Sequence, residues 1–257
     1  MTLKGIDISH WDDGVNLGVL DIDFCIVKAT QGYDFVDNCF DRYIDDCKRS
    51  GSLYGFYHYA NSNSDPVREA EFFYSKTKHL IGLGIPVLDY EEENGIGNAN
   101  WCEQFIQTYY ELSGVWCVLY ISAYRCAEYA KSWIPEKCGL WVAGYPSEYS
   151  YWVDRPYPYD VSPWPFAAIW QFTSSLQIPG YTGTLDADYA YMSRDAWMKY
   201  AAPNDKPQPV PQPTNDLNNA ITVMANAVIA GKFGNGEARK NALYDTIQSR
   251  VNQLLGA

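Results

Sequence analysis

The run "IPVLDYEEE" at residues 85–93 drives an apolar segment into a knot of carboxylates, Asp89, Glu91, Glu92 and Glu93. Val87 and Leu88 are strand formers, so Asp89 and Glu91, two positions apart, are expected on one face of a strand about 6.6 Å apart along the chain. Like charges so placed push one carboxyl pKa up, which is what general acid catalysis at mild pH requires. A solvated loop start has the same local sequence. The choice between them rests on what the remaining elements place beside the pair.

Eight short β-rich runs recur along the chain: 3–9, 24–29, 53–59, 85–91, 116–122, 140–145, 167–172 and 184–190. Between the early ones lie helical patterns. Phe40, Tyr43, Ile44 and Cys47 fall at i, i+3, i+4 and i+7. Asp65 and Pro66 stand as N-cap and first helical residue of the next, and "WCEQFIQTYYEL" and "AYRCAEYAKSW" supply two more. Alternating strands and helices mean parallel βαβ units. After Tyr145 the helical signals fade and the last three strands are joined by loops rich in Pro, Tyr and Trp. The expected fold class is therefore α/β, a TIM-like barrel whose final third has lost its helices, with an open doubly wound sheet as the alternative.

At 257 residues with 47% hydrophobic content the chain can bury a large core, and a net charge of −12 argues against a nucleic-acid partner. The N-terminal "MTLKGIDISHWDDG" lacks the apolar stretch of a signal peptide, and no run reaches membrane-spanning length. Synthesis in a host cytoplasm without a signal peptide and no membrane insertion are the expectations; oligomeric state is not legible. Seven cysteines, all before residue 139 and without a C-x-x-C pair, read as buried free thiols. His10, His58 and His79 make no ligand pair at helical spacing, so neither metal nor cofactor is expected.

Residues 203–214, "PNDKPQPVPQPT", read as a polyproline linker of about 37 Å if fully extended. They divide a main domain at 1–202 from a small helical unit at 215–257. That unit carries four basic and three acidic residues, a net of +1, so the rest of the chain is one charge more acidic than the whole, at −13.

In a barrel the functional rim lies at the C-terminal ends of the strands. Read in order, these give Asp7; Tyr57 and His58; Asp89 and Glu91; Tyr120; Trp141 and Tyr145; Trp170 and Gln171; and Asp186. Aromatic faces stack on sugar rings and carboxylates cleave the bond between them, so the set is coherent for a glycosidase. His58 reads as a hydrogen-bonded rim histidine rather than a base, and Glu92 and Glu93 as solvated charges.

These strings, with "GIDIS" followed by Trp11, "FCIVKATQGYDFVD", "GFYHYA", "PVLDYE", "LYIS", "LWVAGY", "IWQF" and "LDADYAY" in order over residues 3–200, resemble glycoside hydrolase family 25. The resemblance implies a barrel of five βα pairs followed by three strands. It also implies hydrolysis of the β-1,4 bond between N-acetylmuramic acid and N-acetylglucosamine in bacterial peptidoglycan. Carried over by motif, Glu91 is the general acid, with Asp89, Asp7 and Asp186 completing an acidic floor. Tyr57, Tyr120, Trp141, Tyr145, Trp170 and Gln171 are the expected sugar contacts. "LDAD" places an acid, Asp188, where the family commonly has Asn, so Asp188 shares the role given to Asp186. The strings "ANAVIAGKFGNGEARKNAL" and "YDTIQSRVN" resemble a helical repeat that binds cell walls at the ends of phage lysozymes. A chitinase-like glycosidase and a non-catalytic wall-binding protein are the rival readings.

Overall fold

A computed structural model of the chain describes residues 2–91, 98–153 and 157–203. Glu92, Glu93, residues 204–214 of the expected linker and the helical unit at 215–257 lie outside the described residues.

Eight strands close into a barrel: β1 (Leu3–Ile8), β2 (Phe24–Gln31), β4 (Leu53–Tyr59), β5 (Ile85–Asp89), β6 (Val118–Ser122), β7 (Leu140–Ala143), β8 (Ile169–Leu176) and β9 (Leu185–Ala190). A two-residue strand β3 (Phe35–Val36) adds a hairpin to the edge of β2. Closure comes from β1, which pairs with β2 on one side and β9 on the other, and this rules out the open sheet. Strands β1, β2 and β4 to β8 run parallel around the barrel, but β9 is antiparallel to both of its neighbours. Chain length explains the reversal. Only residues 177–184 join β8 to β9, too few for the dozen or more that a parallel return needs, whereas 144–168 join β7 to β8.

The expected helices form where the apolar stripes stand. α1 (Phe40–Ser50) buries Phe40, Tyr43, Ile44 and Cys47, and it stops at Gly51, whose φ of 76° is the left-handed conformation that glycine adopts without penalty. α2 (Pro66–Thr77) starts at Asp65, whose side chain accepts the N–H of Val67 at 2.9 Å. α3 (Ala99–Ser113) follows. Two expectations fail. Residues Ala123–Tyr129 form a 3-10 helix, because Arg125 and Cys126, adjacent in sequence, both turn inward with Tyr129; a four-residue α4 (Ile134–Lys137) follows. The supposedly helix-free last third ends in α5 (Arg194–Ala201), capped by Ser193, with Trp197, Tyr200 and Ala201 buried.

Side-chain alternation along each strand divides the core in two. Outside the barrel, Ile6, Val27, Phe56, Leu88, Leu119, Val142 and Phe172 pack under the helices and loops. Inside, Leu3, Phe24, Ile26, Leu53, Ile85, Val87, Val118 and Ile169 fill the lower layers. Gly5 leaves room for this filling: a Cβ there would stand 2.3 Å from the Phe24 ring. α5 closes the floor, with Trp197 4.7 Å from Phe24 between ring centroids and its indole N–H donating to the Tyr54 carbonyl at 3.2 Å. The upper interior layer is polar.

Candidate active site

The parity that points Phe24 and Ile26 inward also points Lys28 inward, and the same holds for Asp7, Tyr57, Asp89, Tyr120, Trp141, Gln171 and Asp188 on their strands. β9 enters the layer from the opposite direction, so Asp186 and Asp188 reach it from the start of their strand rather than its end. Asp7 stands opposite Asp186 in the β1–β9 ladder, and Asp188 opposite Gln171 in the β8–β9 ladder. β5 ends at Asp89, so Glu91 is two residues past the strand and exposed, not on the strand face beside Asp89 as the sequence implied.

Hydrogen bonds link most of these groups. Tyr120 and Tyr145 donate their hydroxyls to Gln171 Oε1 at 2.8 and 2.5 Å. Gln171 Nε2 donates to Asp7 Oδ2 at 2.7 Å. The Trp141 indole donates to Asp188 Oδ1 at 2.8 Å, and the Asp188 carboxyl stands close enough to Asp7 for the two to influence each other's protonation. Gln171, with both ends of its amide engaged, fixes the orientation of three neighbours.

Burial is the main cause of every carboxyl shift here. It holds Asp7 and Asp188 well above the usual carboxylate range, and the charge of Asp186 adds to both. Asp89 is raised by burial and then by Glu91, with Lys28 opposing. Asp186 is pushed up to about 7, first by burial and then by Asp12 and Glu91. Asp89 Oδ1 is buried without a hydrogen-bond partner among the described residues, an acceptor aimed into the site. On one side a cleft of about 580 Å³ opens, lined by Glu91, Tyr120, Ser122, Tyr124, Tyr145 and Tyr159 among others. The described residues hold no cluster of three or more His, Cys, Asp or Glu suited to a metal ion.

Residues 6–181 match the family model described as glycosyl hydrolases family 25. The match covers more than half of the chain and includes Asp7, Asp89 and Glu91. The chain belongs to glycosyl hydrolases family 25. It is 27% identical to the lysozyme of Streptococcus phage Cp-7 over 253 residues, covering 89% of this chain and 62% of that protein. Among solved structures, the catalytic domain of endolysin ply40 from bacteriophage P40 of Listeria monocytogenes aligns at TM-score 0.58 and 27% identity over 76% of this chain and 95% of that one. The family GH25 lysozyme from Aspergillus fumigatus aligns at TM-score 0.64 and 23% identity over 79% and 100%, a likeness of fold. Residues 223–255 match the CW_7 repeat.

Within this family 25 barrel the structure gathers Asp7, Asp89, Glu91, Asp186 and Asp188 at one mouth with Tyr57, Tyr120, Trp141, Tyr145 and Gln171. Trp170 is a correction. It sits one residue out of phase with Gln171, faces away from the interior, is fully buried against Phe172 and donates its indole N–H to the Gly144 carbonyl at 2.8 Å. It shapes the outer core and the Gly144 turn instead of touching sugar. His58 is likewise outward: buried, it bonds Thr30 Oγ1 through Nδ1 and Glu69 Oε2 through Nε2, both at 2.8 Å. Lys28 was missed. It is nearly buried, its ammonium donates to Gln31 Oε1 at 2.8 Å and lies 4.7 Å from the centre of the Tyr59 ring. The signal was available, since a lone lysine in the apolar run "FCIVKA" shares the phase of Phe24 and Ile26.

Proposed function

We propose that this chain is a muramidase of the endolysin kind, cleaving the β-1,4 bond between N-acetylmuramic acid and N-acetylglucosamine in bacterial peptidoglycan. Its place of action is the bacterial cell wall. No helix among the described residues is long and apolar enough to cross a membrane. One observation supports the reading above the rest: exposed Glu91 borders an open cleft two residues beyond buried Asp89, whose Oδ1 is an unused acceptor.

In this reading Glu91 gives its proton to the glycosidic oxygen as the bond from that oxygen to C1 breaks. Asp89 Oδ1 accepts the N–H of the substrate's 2-acetamido group, turning the acetamido carbonyl oxygen onto C1, where it bonds and spreads the developing positive charge. Water then attacks C1 as the bond from C1 to the acetamido oxygen breaks and the acetamido group is restored, and the water gives its proton to Glu91. Asp7, tied to Gln171, and Asp188, tied to Trp141, hold the floor of the site. The wall-binding role falls to residues 215–257, which contain the CW_7 match, beyond a linker at 203–214.

The test is digestion of purified peptidoglycan, borohydride reduction and analysis of the reduced amino sugars. New ends should be muramitol, and the first product should keep the β anomer. No new ends, or glucosaminitol ends, would refute the assignment.

A further inference from the structure

Trp11 has no part in the acid network, yet it stands on the same rim. It lies in the 3-10 turn His10–Asp12 that follows β1, with 83% of its surface exposed. Leaving so large an apolar side chain in water forgoes the gain of burying it. The turn that presents it is nevertheless firmly built. Ser9 Oγ accepts the Trp11 N–H at 3.2 Å and Asp12 Oδ2 accepts the Ser9 N–H at 2.9 Å, a closed capping box. The His10 ring lies 4.7 Å from the indole, and Asp37 Oδ2 fixes His10 through both its N–H, at 3.0 Å, and Nδ1, at 2.7 Å.

The shelf borders a second hollow of about 360 Å³, also lined by His10, Lys28, Gln31, Phe35 and Asn61. Its walls come from the ends of β1, β2, β3 and β4, whereas the larger cleft is walled by residues after β5, β6 and β7. Strand order therefore places the two hollows on opposite sides of the Asp89–Glu91 pair. Lys28 links them, since it lines the second hollow and its charge acts on both Asp89 and Glu91. A polymer threaded through the larger cleft and across the acids emerges over Trp11.

We propose that the Trp11 shelf is a distal sugar subsite, on which a pyranose ring of an N-acetylated glycan strand lies flat, several units along from the bond that is cut. The ring's axial C–H bonds meet the electron-rich indole face, and the side-chain amides of Gln31 and Asn61 meet its hydroxyl and acetamido groups. This rests on the muramidase reading and adds to it a preference for long strands.

The experiment compares peptide-free glycan strands of four sugars with strands of a dozen or more, using the full chain and its Trp11→Ala, Trp11→Phe and Leu83→Ser variants. Leu83 is the control, half exposed in the turn before β5 at the opposite end of the barrel. For Trp11→Ala, KM on long strands should rise about 10-fold, the scale of one lost aromatic anchor, and the long-to-short ratio of kcat/KM should fall towards one. Trp11→Phe should keep most of that ratio, and Leu83→Ser all of it. Calorimetric titration of long strands into Glu91→Gln, with and without Trp11→Ala, should reproduce the loss as weaker binding. Equal KM and equal binding in the Trp11→Ala proteins would overturn the subsite while leaving the muramidase reading intact. A wild-type chain that binds the strands but cuts none would overturn the muramidase reading, with the titration still deciding the subsite. Strands that neither bind nor are cut would overturn both.

Discussion

Asp7 on β1 and Asp186 on β9 are register partners in an antiparallel ladder, acid facing acid at the mouth of a closed barrel. A like-charged pair directly across a ladder is destabilising when both groups are ionised. Its presence at the one polar layer of an otherwise apolar interior marks a place where stability is given up for chemistry.

Folded Asp186 holds its proton up to about pH 7, whereas its ordinary value is 3.8. Between these limits the folded state binds more protons than the unfolded, so the stability linked to this group is fully present below the lower value and lost as pH rises through the upper one. Asp186→Asn should therefore raise Tm by roughly 5 °C at pH 8 and change it little at pH 4. Calorimetric scans at the two pH values check this; an equal shift at both would mean that the gain is not electrostatic.

Glu91→Gln keeps the size of the side chain and removes its transferable proton. Turbidity loss of a Gram-positive wall suspension should fall by about 100-fold or more at unchanged Tm. Asp89→Asn should be comparably severe, because it puts an amide where the buried acceptor stood. Near wild-type lysis by a folded Glu91→Gln protein would remove Glu91 from the role of acid.

Glu69 is buried and satisfies three groups: His58 Nε2, the Asn61 N–H at 3.0 Å and the Ser64 hydroxyl. Glu69→Ala strands them in a dry setting and should cost about 3 kcal/mol, read as a lower urea midpoint at unchanged slope. Glu69→Gln, which keeps an acceptor, should recover part of that loss.

All seven cysteines are buried and unpaired. Burial raises the thiols of Cys102 and Cys126 to about 12 and those of Cys25 and Cys117 well above the ordinary value, which starves them of the reactive thiolate. A thiol reagent should label the native protein only slowly and all seven positions in denaturant, and neither reductant nor chelator should alter lysis. Inhibition by chelator alone would revive a metal-dependent amidase.

A protein ending at Ala202 retains the whole described barrel with α5 in place. It should cleave soluble strands at the full-length rate and lyse intact cells more slowly, with the gap widest at low salt. There the main domain's −13 is least screened from anionic wall polymers. A pull-down of residues 215–257 on purified walls accompanies the assays; a module left in solution and unimpaired lysis by the shortened protein would refute the targeting role.

The strands were legible because each is a short β-rich run, and α1 and α2 because stripe and cap coincide. The acids were legible as a set, since Asp7, Asp89 and Asp186 interrupt apolar runs where charge has no structural use. Orientation was harder. The direction of β9 hangs on the length of the loop before it, and Trp170 was read as a sugar contact because rim position was weighed without strand phase. Lys28 and Trp11 stood in quoted motifs, but their roles arise from groups 27 or more residues away in sequence, such as Asp37 for His10 and Asp89 for Lys28. Such long-range partners have no local signature.

α5 seals the end of the barrel remote from the acids, and the Ala201 carbonyl accepts the N–H of Gly82 at 3.1 Å there. The last described residue, Pro203, is therefore on the underside of the catalytic body. A cysteine or biotin acceptor placed just after Ala202 would fasten that body to a bead or sensor chip with its mouth turned to the solution. In that orientation even a strand too long to diffuse into a porous resin could still be gripped and cut.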